Sequence, residues 1–176
     1  MSRKPFLSIG MPFYDDFNGV YFTTQALRMM HPEIKDQIEL IFIDNNPGSK
    51  DSLTVKEFLG WIKDIPVKYV PLSEVKGTAI AKNKVFQNSE GDFVLCLDSH
   101  LLIEKGAINR LINFYRSNPN SKDLFSGPLI YDDLRNCSTH FKDIWRGEMW
   151  GIWDLDSRGD PYSSTYDDKP FEKLLS

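Results

Sequence analysis

Cysteine is nearly missing from this sequence. Cys96 and Cys137 are the only two, far apart and in no CxxC or zinc-ligand spacing, so neither a disulfide framework nor a thiolate metal centre is expected. Excess positive charge is missing too: 21 Lys and Arg stand against 25 Asp and Glu, a net charge of -4. That removes the clustered basic surface of a nucleic-acid binder, and no nucleic-acid partner is expected. An anionic ligand would need local help from a metal ion, a helix N-terminus or a few placed lysines. No apolar run reaches membrane-spanning length. After Arg3 and Lys4, the run Phe6-Leu7-Ser8-Ile9 is interrupted by Gly10, Pro12, Asp15 and Asp16, far short of a signal-peptide core. The expected location is therefore the cytoplasm. Phosphate loops are missing as well: Met11 to Gly19 holds no GxGxxG and no glycine-rich phosphate loop, which argues against a dinucleotide oxidoreductase and a sugar nucleotidylyltransferase.

What remains is an ordinary globular chain with an alternating pattern. Its 41% hydrophobic and 26% charged residues are typical of a soluble domain, and 13% aromatic residues argue against disorder. A length of 176 residues suits one well-filled core. We read residues 1–176 as a single domain, with an α/β core over 1–135 and an irregular or partly extended Trp-rich tail over 136–176. Strand candidates are Phe6 to Met11, Ile38 to Ile43, Val67 to Val70 and Phe93 to Leu97, with a further one within Leu124 to Tyr131. Between them Val20, Leu27 and Met30, then Val55, Phe58, Leu59 and Ile62, and later Ile108, Leu111, Ile112 and Tyr115 keep helical spacing. Strands alternating with helices predict a mainly parallel sheet with helices on both faces. The unbroken run Phe93-Val94-Leu95-Cys96-Leu97 reads as a central strand covered on both sides.

In such sheets the ligand crevice lies beyond the carboxyl ends of the strands. Asp98-Ser99-His100 follows the last apolar run and puts a carboxylate and an imidazole two residues apart. Both can reach one divalent ion and leave positions open for phosphate oxygens, and the imidazole favours Mn²⁺ over Mg²⁺. A lone DxH can equally be a turn cap beside a surface histidine. Lys76-Gly77-Thr78-Ala79-Ile80-Ala81-Lys82-Asn83 places a glycine at the start of a helix whose first turns carry Lys82 and Asn83, an arrangement suited to an anion and also common in plain turns. Asp44-Asn45-Asn46-Pro47-Gly48-Ser49 closes another strand. Its side chains can meet a base or ribose, or make Asx-turns that start the next helix.

Taken in order, Ile9-Gly10-Met11-Pro12-Phe13-Tyr14-Asp15, then Ile43-Asp44-Asn45-Asn46, then Gly77 to Asn83, then Leu97-Asp98-Ser99-His100 resemble the family 2 glycosyltransferases of the GT-A (Rossmann-like) fold. In that family a Pro-Thr-Tyr-Asn-like turn is followed by a strand ending Asp-Asp or Asp-Asn, a Gly-x-x-x-Ala-Arg-Asn helix and a strand ending in DxD. The likeness spans roughly residues 5 to 118, and four ordered motifs are far more specific than any one. It implies that Pro12 and Tyr14 line a uridine pocket and that Asp44 or Asn45 meets the uracil or ribose. Gly77, Lys82 and Asn83 would flank the base and diphosphate, while Asp98 and His100 hold a Mn²⁺ or Mg²⁺ ion bridging the phosphates of a UDP-sugar donor. Phe13, Asp15 and Lys82 depart from the family's Thr, Asn and Arg. The DxH form resembles the polypeptide N-acetylgalactosaminyltransferases, as does, faintly, the segment from Ile144-Trp145 to Lys169-Pro170.

Transfer to an acceptor, whether glycan, lipid or protein, also needs groups on the acceptor side. In the families resembled these follow the DxD in a Trp-Gly-Gly-Glu-like or Glu-Asp stretch, which does not occur before Ser176. The fold therefore reads as truncated at the C-terminus, and the chain as a glycosyltransferase domain or, alternatively, an incomplete or non-catalytic nucleotide-sugar-binding module. Glu148 is the nearest substitute for the base, and His140 for a third metal ligand, each more simply a solvated residue. Trp145, Trp150, Trp153, Tyr162 and Tyr166 either stack on an acceptor sugar or pack under other structure. If a further half normally covers them, the isolated chain should self-associate.

Overall fold

A computed structural model describes residues 4–72, 77–125, 129–131, 137–138, 140–147 and 149–154. The chain divides into two compact units, Met1–Ser121 and Lys122–Ser176.

The first unit is a four-stranded parallel sheet. β1 (Leu7–Phe13), β2 (Ile38–Asp44), β3 (Val67–Pro71) and β4 (Phe93–Cys96) lie in the order β3-β2-β1-β4. Leu7 pairs with Ile38 on one side and Phe93 on the other. Helices α1 (Phe17–Met30), α2 (Lys50–Trp61), α3 (Thr78–Asn88) and α4 (Ala107–Ser117) cross between or follow the strands. β2 is buried at every position because both of its faces are covered. Ile38, Leu40 and Phe42 join a core with Val20 of α1, Val55 and Phe58 of α2, and Ile108 and Ile112 of α4. Ile41 and Ile43 point the other way, against Ala81 and Val85 of α3. A sheet buried on both faces reads as continuous apolar sequence.

β4 departs in part from expectation: the apolar run Phe93 to Leu97 reads as a central strand, yet Phe93 to Cys96 are only half-buried, and among the described residues β4 pairs with β1 alone. Apolar content reports what faces a strand, not whether a neighbour lies on both of its edges.

Local signals set the helix starts. The Asp16 carboxylate accepts from the Gly19 amide at 2.9 Å and caps α1, and Ser49 accepts from the Ser52 amide at 3.1 Å and caps α2. Gly77 opens α3 at φ +145°, a backbone conformation that side chains rarely adopt. α3 also lies directly on β1: a Cβ on Gly10 would sit 2.0 Å from a Val85 methyl. Only glycine permits that approach.

The amino ends of the strands are tied by a polar cluster. Glu39, 2% exposed, accepts from Ser8 Oγ at 2.6 Å and the Glu90 amide at 2.7 Å, and pairs with Lys68 Nζ at 2.9 Å. Nearby, a 330 Å³ hollow lined by Lys4, Phe6, Asp36, Gln37, Asp92 and Arg116 contains the Lys4–Asp92 ion pair. It lies at the amino ends of the strands, opposite the end where ligands bind in such sheets.

In the second unit β5 (Leu129–Ile130) pairs antiparallel with β6 (Cys137–Ser138), and β7 (His140–Arg146) with β8 (Met149–Asp154). Part of the tail is extended: Trp145 pairs with Trp150 in the backbone register of a hairpin. Aromatic and β-branched residues such as Phe141, Ile144, Ile152 and Trp153 fit a pleated surface, although they lack the strict alternation that marks a strand in sequence. No helix among the described residues is long and apolar enough to cross a membrane.

Candidate functional site

The strand order reverses between β1 and β4, and at their carboxyl ends a cleft of about 530 Å³ opens. This is the topological switch point at which open α/β sheets bind ligands. Its lining comes from the end of β1 (Pro12, Phe13) and the loop after it (Tyr14 to Asp16), Asn45 after β2, Asp98 to His100 after β4, and Thr78, Ala81 and Lys82 on the first turns of α3. Backbone pairing carries past the strand ends to hold these loops in place. The Asn45 amide donates to Phe13 O at 2.9 Å and the Leu97 amide to Gly10 O at 2.8 Å.

Of the residues singled out from sequence, Pro12, Tyr14, Asn45, Lys82, Asp98 and His100 come together in this cleft. Lys82 Nζ stands 3.3 Å from Asp98 Oδ1, both side chains about half exposed. Gly77 contributes differently: its amide donates to Asn45 Oδ1 at 3.0 Å, fixing the start of α3 to the end of β2. Asn83 lies exposed on α3 and is not part of the lining. Glu148 and Lys76 lie outside the described residues, as do Tyr162 and Tyr166.

Asp44 is placed beneath the cleft and does not line it. It is fully buried; one carboxylate oxygen accepts from the Asn46 amide at 2.9 Å and the other from the Tyr69 hydroxyl. Tyr69 also lies 3.1 Å from Ser52 Oγ. Burial, reinforced by the bond to Asp44, pushes the Tyr69 phenol up to about 12. The side chain supports the turn that presents Asn45.

Asp15 and Asp16 supply what sequence reasoning missed. Asp15 has φ +47° and accepts from Asn46 Nδ2 at 2.9 Å, linking the loops after β1 and β2. Asn and Asp are the side chains that tolerate this backbone region best, so Asp here meets the same backbone demand as Asn. Asp16 Oδ2 accepts from Ser99 Oγ at 2.6 Å and lies 3.4 Å from His100 Nδ1. Burial would raise its carboxyl, but the bonds from Ser99, the Gly19 amide and His100 outweigh it and hold Asp16 below the usual carboxylate range. The only advance signal was a helix-capping Asp three residues before Gly19.

Asp98 and His100 are exposed side chains that line the cleft. Among the described residues no three His, Cys, Asp or Glu side chains are grouped to hold a metal by themselves. A carboxylate and an imidazole with open positions remaining fit an ion shared with phosphate oxygens, the usual mode for Mg²⁺ and Mn²⁺ at diphosphates. Cys96, half-buried just before the site, has its thiol raised chiefly by burial, which keeps it protonated and a poor ligand.

The comparisons agree with this architecture. The chain is 26% identical over 116 residues to an uncharacterized glycosyltransferase of Haemophilus influenzae, covering 66% of this chain and 44% of the relative. It is 26% identical over 113 residues to the uncharacterized glycosyltransferase YfnE of Bacillus subtilis, covering 64% and 28%. The chain therefore spans less than half the length of these curated relatives. Among solved structures it superposes on the mannosyltransferase PcManGT from Pyrobaculum calidifontis in complex with GDP-Man and Mn²⁺, with TM-score 0.57, 16% identity and coverage of 73% and 35%. It also superposes on S. aureus TarS 1-349 in complex with UDP-GlcNAc, with TM-score 0.53, 18% identity and coverage of 69% and 37%. The fold is thus of the GT-A type. The model of the family Glycosyl transferase family 2 matches residues 8–163, and on that match the chain belongs to glycosyl transferase family 2.

Proposed function

We propose that this domain binds a nucleotide-diphosphate sugar, specifically a UDP-sugar, and serves glycosyl transfer from it to an acceptor. The observation that carries the reading is the convergence of Lys82, Asp98 and His100 with Pro12, Tyr14 and Asn45 in one cleft at the switch point. Family membership supports it, as do solved neighbours holding UDP, UDP-GlcNAc, or GDP-Man with Mn²⁺.

In this reading Pro12, Tyr14 and Asn45 receive the nucleoside, and Lys82 and the first turn of α3 face the diphosphate. Asp98 and His100, the DxH arrangement likened to the polypeptide N-acetylgalactosaminyltransferases, hold Mn²⁺ or Mg²⁺, with Mn²⁺ favoured by the imidazole. The ion, when bound, supplies Lewis-acid stabilisation of the departing diphosphate. Lys82 adds a positive charge beside the same leaving group, where charge develops as the anomeric bond breaks. Asp16 and Thr23 fix the turn that carries the ligands, and the Asn45–Gly77 bond fixes the distance from nucleoside to phosphate positions. These residues account for donor binding and leaving-group departure.

A second reading, a nucleotide-sugar-binding module without turnover, accounts for the same donor-side cleft. Calorimetric titration with UDP, with and without Mn²⁺, followed by a UDP-sugar hydrolysis assay, separates the two. Metal-dependent UDP binding that Asp98→Ala abolishes supports the donor site, and hydrolysis or transfer in addition supports the enzyme. UDP binding indifferent to both metal and Asp98→Ala would sink the proposal.

A further inference from the structure

The geometry points to Asp16 as the positioning residue of the Asp98–His100 site, an inference that rests on the metal-diphosphate reading above. A single carboxylate oxygen, Asp16 Oδ2, lies 2.6 Å from Ser99 Oγ and 3.4 Å from His100 Nδ1. It gathers the two residues that follow Asp98. The other oxygen accepts from the Gly19 amide at 2.9 Å, so the carboxylate is itself anchored to the first turn of α1.

Two helical turns further along α1, Thr23 grips the backbone of the same segment. It is fully buried; its hydroxyl accepts from the Leu101 amide at 2.8 Å and lies 2.8 Å from the Ser99 carbonyl oxygen. α1 thus holds the 99–101 segment by side chains at one level and by backbone at the next. Ser99 is 5% exposed, whereas Asp98 and His100 on either side of it remain open to the cleft.

For His100 the contact selects a ring orientation. With Nδ1 turned to a carboxylate, Nε2 is left as the atom able to ligate, and metal-binding imidazoles commonly have their second nitrogen held in this way. Gly19 supplies an independent argument. A Cβ built there would fall 2.1 Å from Asp16 Oδ2 and 2.7 Å from its Cγ. Alanine is otherwise the better helix residue. The glycine keeps free the space that the carboxylate occupies, so Gly19→Ala displaces Asp16 without altering any residue of the metal triplet.

The test measures Mn²⁺ affinity of the full chain by electron paramagnetic resonance, with Mn²⁺ alone and with Mn²⁺ plus UDP, alongside thermal melting. Asp16→Asn retains a good helix cap, and Gly19→Ala retains the helix. Both are expected to weaken Mn²⁺ binding about 10- to 100-fold while the melting transition stays cooperative, so that the loss is not one of folding. In a His100→Ala background, Asp16→Asn should have a smaller effect than in the wild type, because part of it runs through the imidazole. If both variants bind Mn²⁺ like the wild type while Asp98→Ala has lost it, the role of Asp16 is overturned and the metal site stands. If Asp98→Ala also binds normally, the site itself fails and the inference falls with it.

Discussion

The Lys82 ammonium lies 3.3 Å from the Asp98 carboxylate, so a lysine holds the place where the proposed divalent ion would meet its acidic ligand. Two cations cannot share that oxygen at no cost. Lys82 must turn away when a metal arrives, and a diphosphate gives it somewhere to go. Metal and nucleotide should therefore bind with positive coupling, each easing entry of the other. Lys82→Met is expected to tighten Mn²⁺ binding in the absence of nucleotide by about fivefold, the equivalent of roughly 1 kcal/mol for a half-exposed pair. The same change should weaken UDP binding about tenfold through loss of a charged contact to phosphate. Titration of both ligands, singly and together, checks the opposite signs. Weaker Mn²⁺ binding without nucleotide would show that Lys82 does not compete for Asp98.

The parts of this site that follow strands were legible in the sequence. Pro12, Tyr14, Asn45, Asp98 and His100 each stand just past an apolar run, and Lys82 stands one turn into a helix opened by glycine. What could not be read is which polar side chains satisfy one another over long chain separations. Asp16 meets Ser99 across 83 positions. Asp44 was indistinguishable from Asn45 as a ligand contact until the next strand placed Tyr69 against it. The same gap explains β4, whose composition told of covered faces and nothing of its pairing with β1 alone among the described residues. Periodicity records which face is buried; pairing between distant segments leaves little trace in it.

The Glu39 cluster at the opposite end of the sheet predicts acid sensitivity. Burial alone would raise this carboxyl, but Ser8, the Glu90 amide and Lys68 together hold it below the ordinary glutamate range. A carboxyl whose folded value is depressed stabilises the protein above the unfolded value of about 4.3, and that contribution is lost as pH falls through the folded value. Asp64, held to about 2 chiefly by Lys35 and then by Arg28, loses its contribution in the same direction, between about 4 and about 2. Urea unfolding of the wild type and Glu39→Gln at pH 7 and pH 3.5 isolates the glutamate. The variant should be less stable by about 1–3 kcal/mol at pH 7, and the difference should shrink at pH 3.5. A gap that stays constant would mean the charge contributes nothing.

Tyr69→Phe tests whether Asp44 supports the nucleoside side of the cleft from below. Removing the hydroxyl leaves a fully buried carboxylate oxygen without its donor, which should cost about 1–3 kcal/mol of stability. Because Asn45 continues directly from Asp44 and holds the Gly77 amide, UDP affinity should fall severalfold while its dependence on Mn²⁺ is retained, since Asp98 and His100 sit on a different loop. The phenol gives a second readout. Its value is pushed up to about 12, against an ordinary tyrosine near 10. A raised folded value means its stabilising contribution is complete below about pH 10 and lost as pH rises toward about 12. Wild type should therefore lose more stability than Tyr69→Phe over that interval. Equal losses in the two proteins, with unchanged UDP affinity in the variant, would show that the Tyr69–Asp44 bond neither titrates with folding nor positions Asn45.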